Sequence, residues 1–277
     1  MRGRGFAAAQ VAALGLTLAF LVLPLAAIFI RPGIPEIIGQ LGSEVVVDAL
    51  LVTLKTSVIA HAIVLVVGTP AAYLIARRRF AGRDLVVSVI ELPLVLPPAV
   101  AGVGLLAAFG RRGLLGDTFE ALGVSISFTQ VAVVMAVVFV SAPFHIRGSI
   151  AAFEAIDADL VAAARTLGAR PLRVFWRIAL PLAGAGVGAA STLAFARGLG
   201  EFGATIIFAG SFQGRTQTLP LAIYSELDRD FDQALAIGAL LVVASILILM
   251  AAKVVPRWTR SASTSPSRSA TTSSTSA

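Results

Sequence analysis

Few side chains in this 277-residue chain are equipped for chemistry. Lys55, Glu91, Arg197 and Glu201 fall within or at the edge of long apolar runs, where an ionisable group is costly and marks either a pathway or an internal pair. Arg197 and Glu201 stand four residues apart, the spacing at which opposite charges on one helix meet, so they read first as a structural pair. Lys55 has no such neighbour. Either it is a pathway cation that attracts a divalent anion, or it snorkels to water or pairs with Asp48 or Glu91. Glu91 lies near the inner end of its run, within reach of water. His61 and His145 sit in separate runs without ligand spacing, and the chain has no cysteine; no metal site, disulfide or thiol nucleophile is expected. No G-x-x-x-x-G-K-[ST], H-E-x-x-H or G-x-S-x-G stretch occurs, so neither ATP hydrolysis nor the commonest membrane protease or hydrolase chemistry belongs to this chain. A transport reading therefore needs a partner or an ion gradient as its energy source.

The elements that position these residues are membrane spans. Hydrophobic residues make up 57% of the chain and charged ones 13%, against roughly 25% charged in a soluble domain, and the mean hydropathy is +0.92. Such a composition excludes a soluble globular protein. Six runs approach or exceed the roughly 20 residues that cross a bilayer as a helix: Ala7–Ile30, about Asp48–Ala76, Leu85–Phe109, Thr129–Ile146, Leu182–Phe208 and Phe231–Ala252. The first exceeds the 7 to 15 residues of a signal-peptide core and reads as a span rather than a cleaved leader. The net charge of +7 follows membrane orientation rather than nucleic-acid binding. Arg2, Arg4, Arg77 to Arg79, Arg83, Arg147, Arg165, Arg170, Arg173, Arg177, Lys253, Arg257, Arg260 and Arg268 fall on one side, and only Arg31, Arg111, Arg112, Arg215 and Arg229 on the other. Both termini are thereby predicted to be cytoplasmic. The expected organisation is an all-α chain. Residues 1–47 hold the first span and an outer loop, 48–252 the main transmembrane domain, and 253–277 a basic, then Ser/Thr-rich tail too polar to fold.

The spans are interrupted by Pro24, Pro70, Pro93, Pro97, Pro98 and Pro143, which a bilayer tolerates only where neighbouring helices or water satisfy the freed backbone groups. Pro93, Pro97 and Pro98 must interrupt the third, leaving carbonyls that need protein or water. The fifth is rich in small residues, with Gly184 and Gly188 in G-x-x-x-G spacing, which predicts a close packing face or a sliding one.

The most patterned connector runs from Arg147 to Pro181. Ile150, Phe153, Ile156, Leu160, Ala164 and Leu167 recur at spacings of three and four, the one-face signature of a helix. Asp157 is placed to cap a renewed helix, Ile156 and Val161 to form its hydrophobic staple, and Gly168 to end it. Pro171 then opens a second short helix, Leu172–Leu180, with Arg173 and Arg177 beside Phe175 and Trp176. The pattern fits both a helix lying on the membrane surface and a rigid lever on which a soluble partner pushes.

The stretch Ala163-Ala164-Arg165-Thr166-Leu167-Gly168-Ala169, with Ile178-Ala179-Leu180-Pro181 at fixed distance beyond it, resembles the EAA loop of ATP-binding-cassette importer permeases. That resemblance implies that Asp157 to Ala169 dock into the ATPase subunit, with Leu160, Ala163, Ala164, Leu167, Gly168 and Ala169 as contact or shape residues. The glutamate that opens the family motif is Ala162 here, so its contact does not carry over. Leu92 to Gly102, Arg197-Gly198-Leu199-Gly200-Glu201-Phe202-Gly203-Ala204-Thr205 and Gln217 to Tyr224 resemble the molybdate permease family, with sulfate, thiosulfate and tungstate permeases similar. The resemblance implies the type I importer fold, alternating access and a homodimer in the bacterial cytoplasmic membrane. It also implies two copies of an ATPase subunit that hold ATP and Mg, an extracytoplasmic oxyanion-binding protein, and no cofactor on this chain. Lys55, Pro93, Pro97, Pro98, Arg197, Glu201 and Phe202 are its pathway or gate candidates. An ion-coupled secondary carrier is the rival class; it would need titratable carboxylates at mid-membrane depth, and only Glu91 and Glu201 come near.

Overall fold

The computed structural model describes residues 2–261, with side chains described for 6–251. The Ser/Thr-rich tail beyond Ser261 lies outside the described residues. Every regular element among them is helical. In chain order these are α1 (Arg2–Ile30), α2 (Ile34–Gln40), α3 (Glu44–Ile63), α4 (Thr69–Arg77), α5 (Arg83–Val95), α6 (Pro98–Phe109) and α7 (Gly116–Ala121), followed by α8 (Gln130–Glu154), α9 (Ala158–Thr166), α10 (Pro171–Val174), α11 (Leu180–Leu199), α12 (Gly203–Phe208), α13 (Leu219–Glu226) and α14 (Phe231–Ser261).

Five continuous helical runs are long and apolar enough to cross a membrane: Phe6–Ile30, Glu44–Arg77, Gln130–Glu154, Pro171–Leu199 and Phe231–Ala251. Two of them absorb a proline by widening. The π-turns Val64–Gly68 and Phe175–Ala179 lie immediately before Pro70 and Pro181, where the proline ring would otherwise collide with the carbonyl four residues back.

The third span is interrupted, as its prolines predict: α5 and α6 meet at 115°, although Pro93 itself stays inside α5 and only Pro97 and Pro98 stand at the break. Leu96 (ψ 135°) and Pro97 (ψ 134°) are both extended, as the residue before a proline tends to be. The fifth span ends at Leu199 rather than Phe208, where the glycine-rich Gly198–Gly203 stretch breaks the ladder before the short α12. Its other end reaches back to Pro171, so the predicted separate helix Leu172–Leu180 is the first part of that span. Likewise α8 runs through Pro143 to Glu154, so Ile150 and Phe153 belong to it and not to the connector.

Helix α8 is the central rod. At one end Val133, Val137 and Val140 pack with Ala101, Leu105, Ala204 and Phe208 of α6 and α12. At the other, Ile150 and Phe153 pack with Ile75, Val161, Val174 and Phe175. It meets α11 through small residues: a Cβ on Gly148 would fall 2.6 Å from Ala190 Cβ, and one on Gly186 would fall 2.6 Å from Ala152 Cβ. The expected Gly184/Gly188 face is not this interface. Nothing lies within 4 Å of a Cβ built on either residue.

Candidate functional site

Helices α6 and α12, each following a break, cross in backbone contact. A Cβ on Gly102 would lie 2.8 Å from the Ala204 carbonyl oxygen and 2.9 Å from Ile207 Cβ, and one on Gly203 would lie 2.7 Å from Pro98 Cβ. Overpacking of a well-packed contact costs about 1–3 kcal/mol when side chains can move, and here one wall is backbone. Gly102→Val is therefore expected to push α6 off α12 and abolish uptake, while Gly104→Val, a position with nothing within 4 Å of a built Cβ, retains it. Labelled-substrate uptake with membrane-expression controls checks this pair.

Next to the crossing lies a charge pair whose carboxylate is buried. Arg197 Nη1 donates to Glu201 Oε2 at 3.0 Å, and Glu201 Oε1 accepts from the Ala204 N–H at 2.8 Å, in the first turn of α12. The Glu201 side chain is 1% exposed and that of Arg197 31%. Arg197 also reaches a cavity of about 120 Å³ that Pro93, Leu96, Pro98, Ala101 and Phe144 line. The two sequence breaks thus meet at one guanidinium.

The structure brings Pro93, Pro98, Arg197 and Glu201 together, with Pro97 forming the break itself. Phe202 turns elsewhere and packs on Tyr224, with ring centroids 5.2 Å apart. Lys55 is exposed on α3 between Leu54 and Val58, without an ion pair or hydrogen bond among the described residues. Neither anticipated partner reaches it: Asp48 accepts from Gln213 Nε2 at 3.3 Å, and Glu91 pairs with Arg147 at 2.8 Å. Glu91 is thus an interhelical tie between α5 and α8 and not simply a water-facing carboxylate. His145 is buried and bonds the Thr69 hydroxyl at 2.8 Å, whereas His61 bonds that of Ser191 at 2.9 Å.

The second locus is α9, whose ends are built as the sequence predicts. Asp157 Oδ1 accepts from the Asp159 N–H at 2.9 Å, satisfying an orphan donor of the first turn. Gly168 takes φ +81°, and the Gly168 and Ala169 N–H groups donate to the Arg165 and Ala164 carbonyls at 2.9 and 3.0 Å. This double bond pattern with a left-handed glycine is a Schellman termination. Ile156 and Val161 are both buried, as a staple requires.

Staple and cap seat α9 on an aromatic trio. Tyr73 packs on Phe153 at 5.2 Å and on Phe175 at 5.0 Å, joining α4, α8 and the start of the Pro171–Leu199 span. Arg77 Nη2 donates to the Ile156 carbonyl at 3.2 Å. Ala164 and Ala169 pack inward on this core. Leu160 is 52% and Leu167 88% exposed, and Asp157, Ala162, Ala163 and Gly168 also face outward. Tyr73, Arg77, Phe153 and Phe175 were not singled out from sequence as supports of α9, since their meeting depends on three distant segments. The one local hint was Tyr73, one of two tyrosines in the chain.

Residues 65–260 match the model of the family described as "Binding-protein-dependent transport system inner membrane component". The chain is 46% identical over 231 residues to the "Molybdenum transport system permease protein ModB" of Mycobacterium tuberculosis, covering 83% of this chain and 88% of the relative. It is 40% identical over 212 residues to the protein of that name in Escherichia coli, covering 76% and 92%. It is 37% identical over 217 residues to the "Sulfate transport system permease protein CysW" of Synechococcus elongatus, covering 78% and 76%. Among solved structures, a bacterial ABC transporter that imports alginate superimposes with a TM-score of 0.74 at 18% identity, covering 93% of this chain and 96% of that one.

Proposed function

The chain belongs to the family of binding-protein-dependent transport system inner membrane components, and from that premise we propose that it is the permease subunit through which molybdate enters the cell. It is a multi-pass inner membrane protein. The observation that carries the substrate is the 46% and 40% identity to molybdenum permeases over most of both chains, higher than the 37% identity to the sulfate permease.

The geometry supplies a route from energy to pathway. A separate ATPase, in two copies that hold ATP and Mg, engages the outward face of α9 at Leu160 and Leu167. Because α9 is stapled to Phe153 at one end of α8, and α8 packs against α6 and α12 at its other end, displacement of the docking helix moves the α6–α12 crossing. The extended joint at Leu96–Pro97 and the non-helical joint at Gly200–Phe202 are where the backbone can pivot, while the Arg197–Glu201 pair keeps the second joint assembled. Two copies of the chain enclose the pathway, the charge bias puts both termini in the cytoplasm, and an extracytoplasmic oxyanion-binding protein delivers the dianion.

Lys55 supplies positive charge on an outward face of α3 that such a pathway needs. Focusing by one cation in a low-dielectric cleft raises local anion occupancy by roughly tenfold or more. Lys55→Gln is therefore expected to lower uptake about tenfold at limiting substrate, and Lys55→Arg to retain it; initial rates in intact cells check the pair.

The test of the function is uptake of labelled molybdate by cells lacking and regaining this gene, with excess sulfate or tungstate. Gene-dependent uptake that resists sulfate and yields to tungstate is the expected result. Uptake that sulfate abolishes would assign the chain to sulfate, and no gene-dependent oxyanion uptake would overturn the reading.

A further inference from the structure

The start of the Pro171–Leu199 span carries a basic groove that docking and the pathway leave unused. The span has 29 residues, about 43 Å of helix at 1.5 Å per residue, against a hydrocarbon core of about 30 Å. The excess has to project beyond the hydrocarbon, and Arg170, Arg173 and Arg177 put it at this end, so roughly the first two turns stand at the level of the headgroups. Arg170, Arg173, Arg177, Leu172 and Trp176 line an open groove there of about 300 Å³. None of the three arginines has an ion-pair partner among the described residues. Leu172 is 70% and Trp176 58% exposed on the same groove, while the Trp176 ring is held edge-on against buried Phe175 at 5.1 Å.

Unpaired guanidinium groups beside an exposed indole and leucine at interfacial depth match one kind of occupant. The phosphate of an anionic phospholipid satisfies the arginines, and its upper acyl chain covers Leu172 and Trp176. A carboxylate-bearing surface of a soluble protein answers the charge but leaves the apolar wall of the groove at membrane depth uncovered. We propose that this groove binds the headgroup of an anionic phospholipid in the leaflet on the α9 side. The groove begins two residues beyond Gly168, at the Schellman turn that ends α9, and Val174 and Phe175 share a core with Val161. A lipid seated there braces the docking helix against the bilayer. The proposal rests on the span and not on the transported ion.

The chain has two tryptophans, Trp176 and Trp258, so Trp258→Phe makes Trp176 the sole emitter in the full-length protein. In bilayers of phosphatidylcholine, a minor fraction of phosphatidylglycerol brominated near the headgroup end of its chain should quench Trp176 with an apparent affinity roughly tenfold above that of equally brominated phosphatidylcholine. Arg173→Gln/Arg177→Gln should abolish that preference, and Arg173→Lys/Arg177→Lys should keep most of it, which separates lost charge from misfolding. Equal quenching by the two lipids would overturn headgroup recognition. A Trp176 unquenched by either lipid, whose emission shifts on adding the ATPase subunit, would assign the groove to that partner instead. Molybdate uptake enters none of these readouts, so failure of the transport reading and failure of this one are separable.

Discussion

Glu201→Ala is expected to abolish transport and to destabilise the permease by about 1–3 kcal/mol, the cost of leaving the Ala204 N–H and a partly exposed guanidinium without their acceptor. The carboxylate holds Arg197 and the first turn of α12 together, so its loss leaves an uncompensated guanidinium and frees an N–H beside the α6–α12 contact. Glu201→Gln keeps an oxygen for the Ala204 N–H and loses only the charge, so it should fall between the two in thermal stability. Arg197→Ala/Glu201→Ala should recover part of the stability of Glu201→Ala, because no charge is then stranded. Thermal unfolding of the purified permease in detergent, read beside uptake, checks the cycle. A double variant no more stable than Glu201→Ala would show that the pair is not coupled.

The docking face predicts the opposite combination, lost activity with intact folding. Leu160→Asp and Leu167→Asp each place a charge where an apolar side chain is exposed and makes no core contact, so membrane insertion and thermal stability should be unchanged. If both leucines are anchors in the ATPase interface, each truncation costs about 2 kcal/mol or more of association, about thirtyfold in affinity. The substituted permease should therefore fail to copurify with its ATPase and fail to transport. Val161→Asp, the residue next to Leu160 but facing the core, should instead prevent folding. Gly168 contributes differently. No heavy atom lies within 4 Å of a Cβ built there, so a bulkier residue meets only the strain of a left-handed backbone, about 1–2 kcal/mol. The docking defect expected of Gly168 variants is therefore smaller than that of the leucine variants.

What was legible in the sequence was local. The cap at Asp157, the staple of Ile156 with Val161 and the stop at Gly168 were all readable because each rests on side-chain chemistry within a few residues. The six apolar runs were readable because the bilayer imposes length and composition. That Pro93 to Pro98 breaks a span was likewise visible, but the 115° bend was not, since the packing of α6 on α12 sets the angle. Boundaries failed where helices continued past the expected ends: α8 runs on beyond Ile146 to Glu154, and Pro181 looked like the start of a span until a π-turn absorbed it. The Gly184/Gly188 spacing suggested the packing face of α11, whereas Gly186 makes that contact with α8. Pairings between segments were out of reach for the same reason. The partners of Glu91 and the aromatic support of α9 join residues distant in sequence, and a pattern of single positions carries no register between helices.

Reconstitution tests the central claim most directly. Proteoliposomes holding this permease with its ATPase subunit, supplied with the oxyanion-binding protein and labelled molybdate on the receiving side, are assayed with and without ATP at the ATPase. Uptake that requires ATP, the ATPase subunit and the binding protein together, and that the Leu167→Asp permease loses, is the predicted result. Uptake by the permease alone, driven by an imposed proton or sodium gradient and indifferent to ATP, would contradict the account and make the chain a secondary carrier.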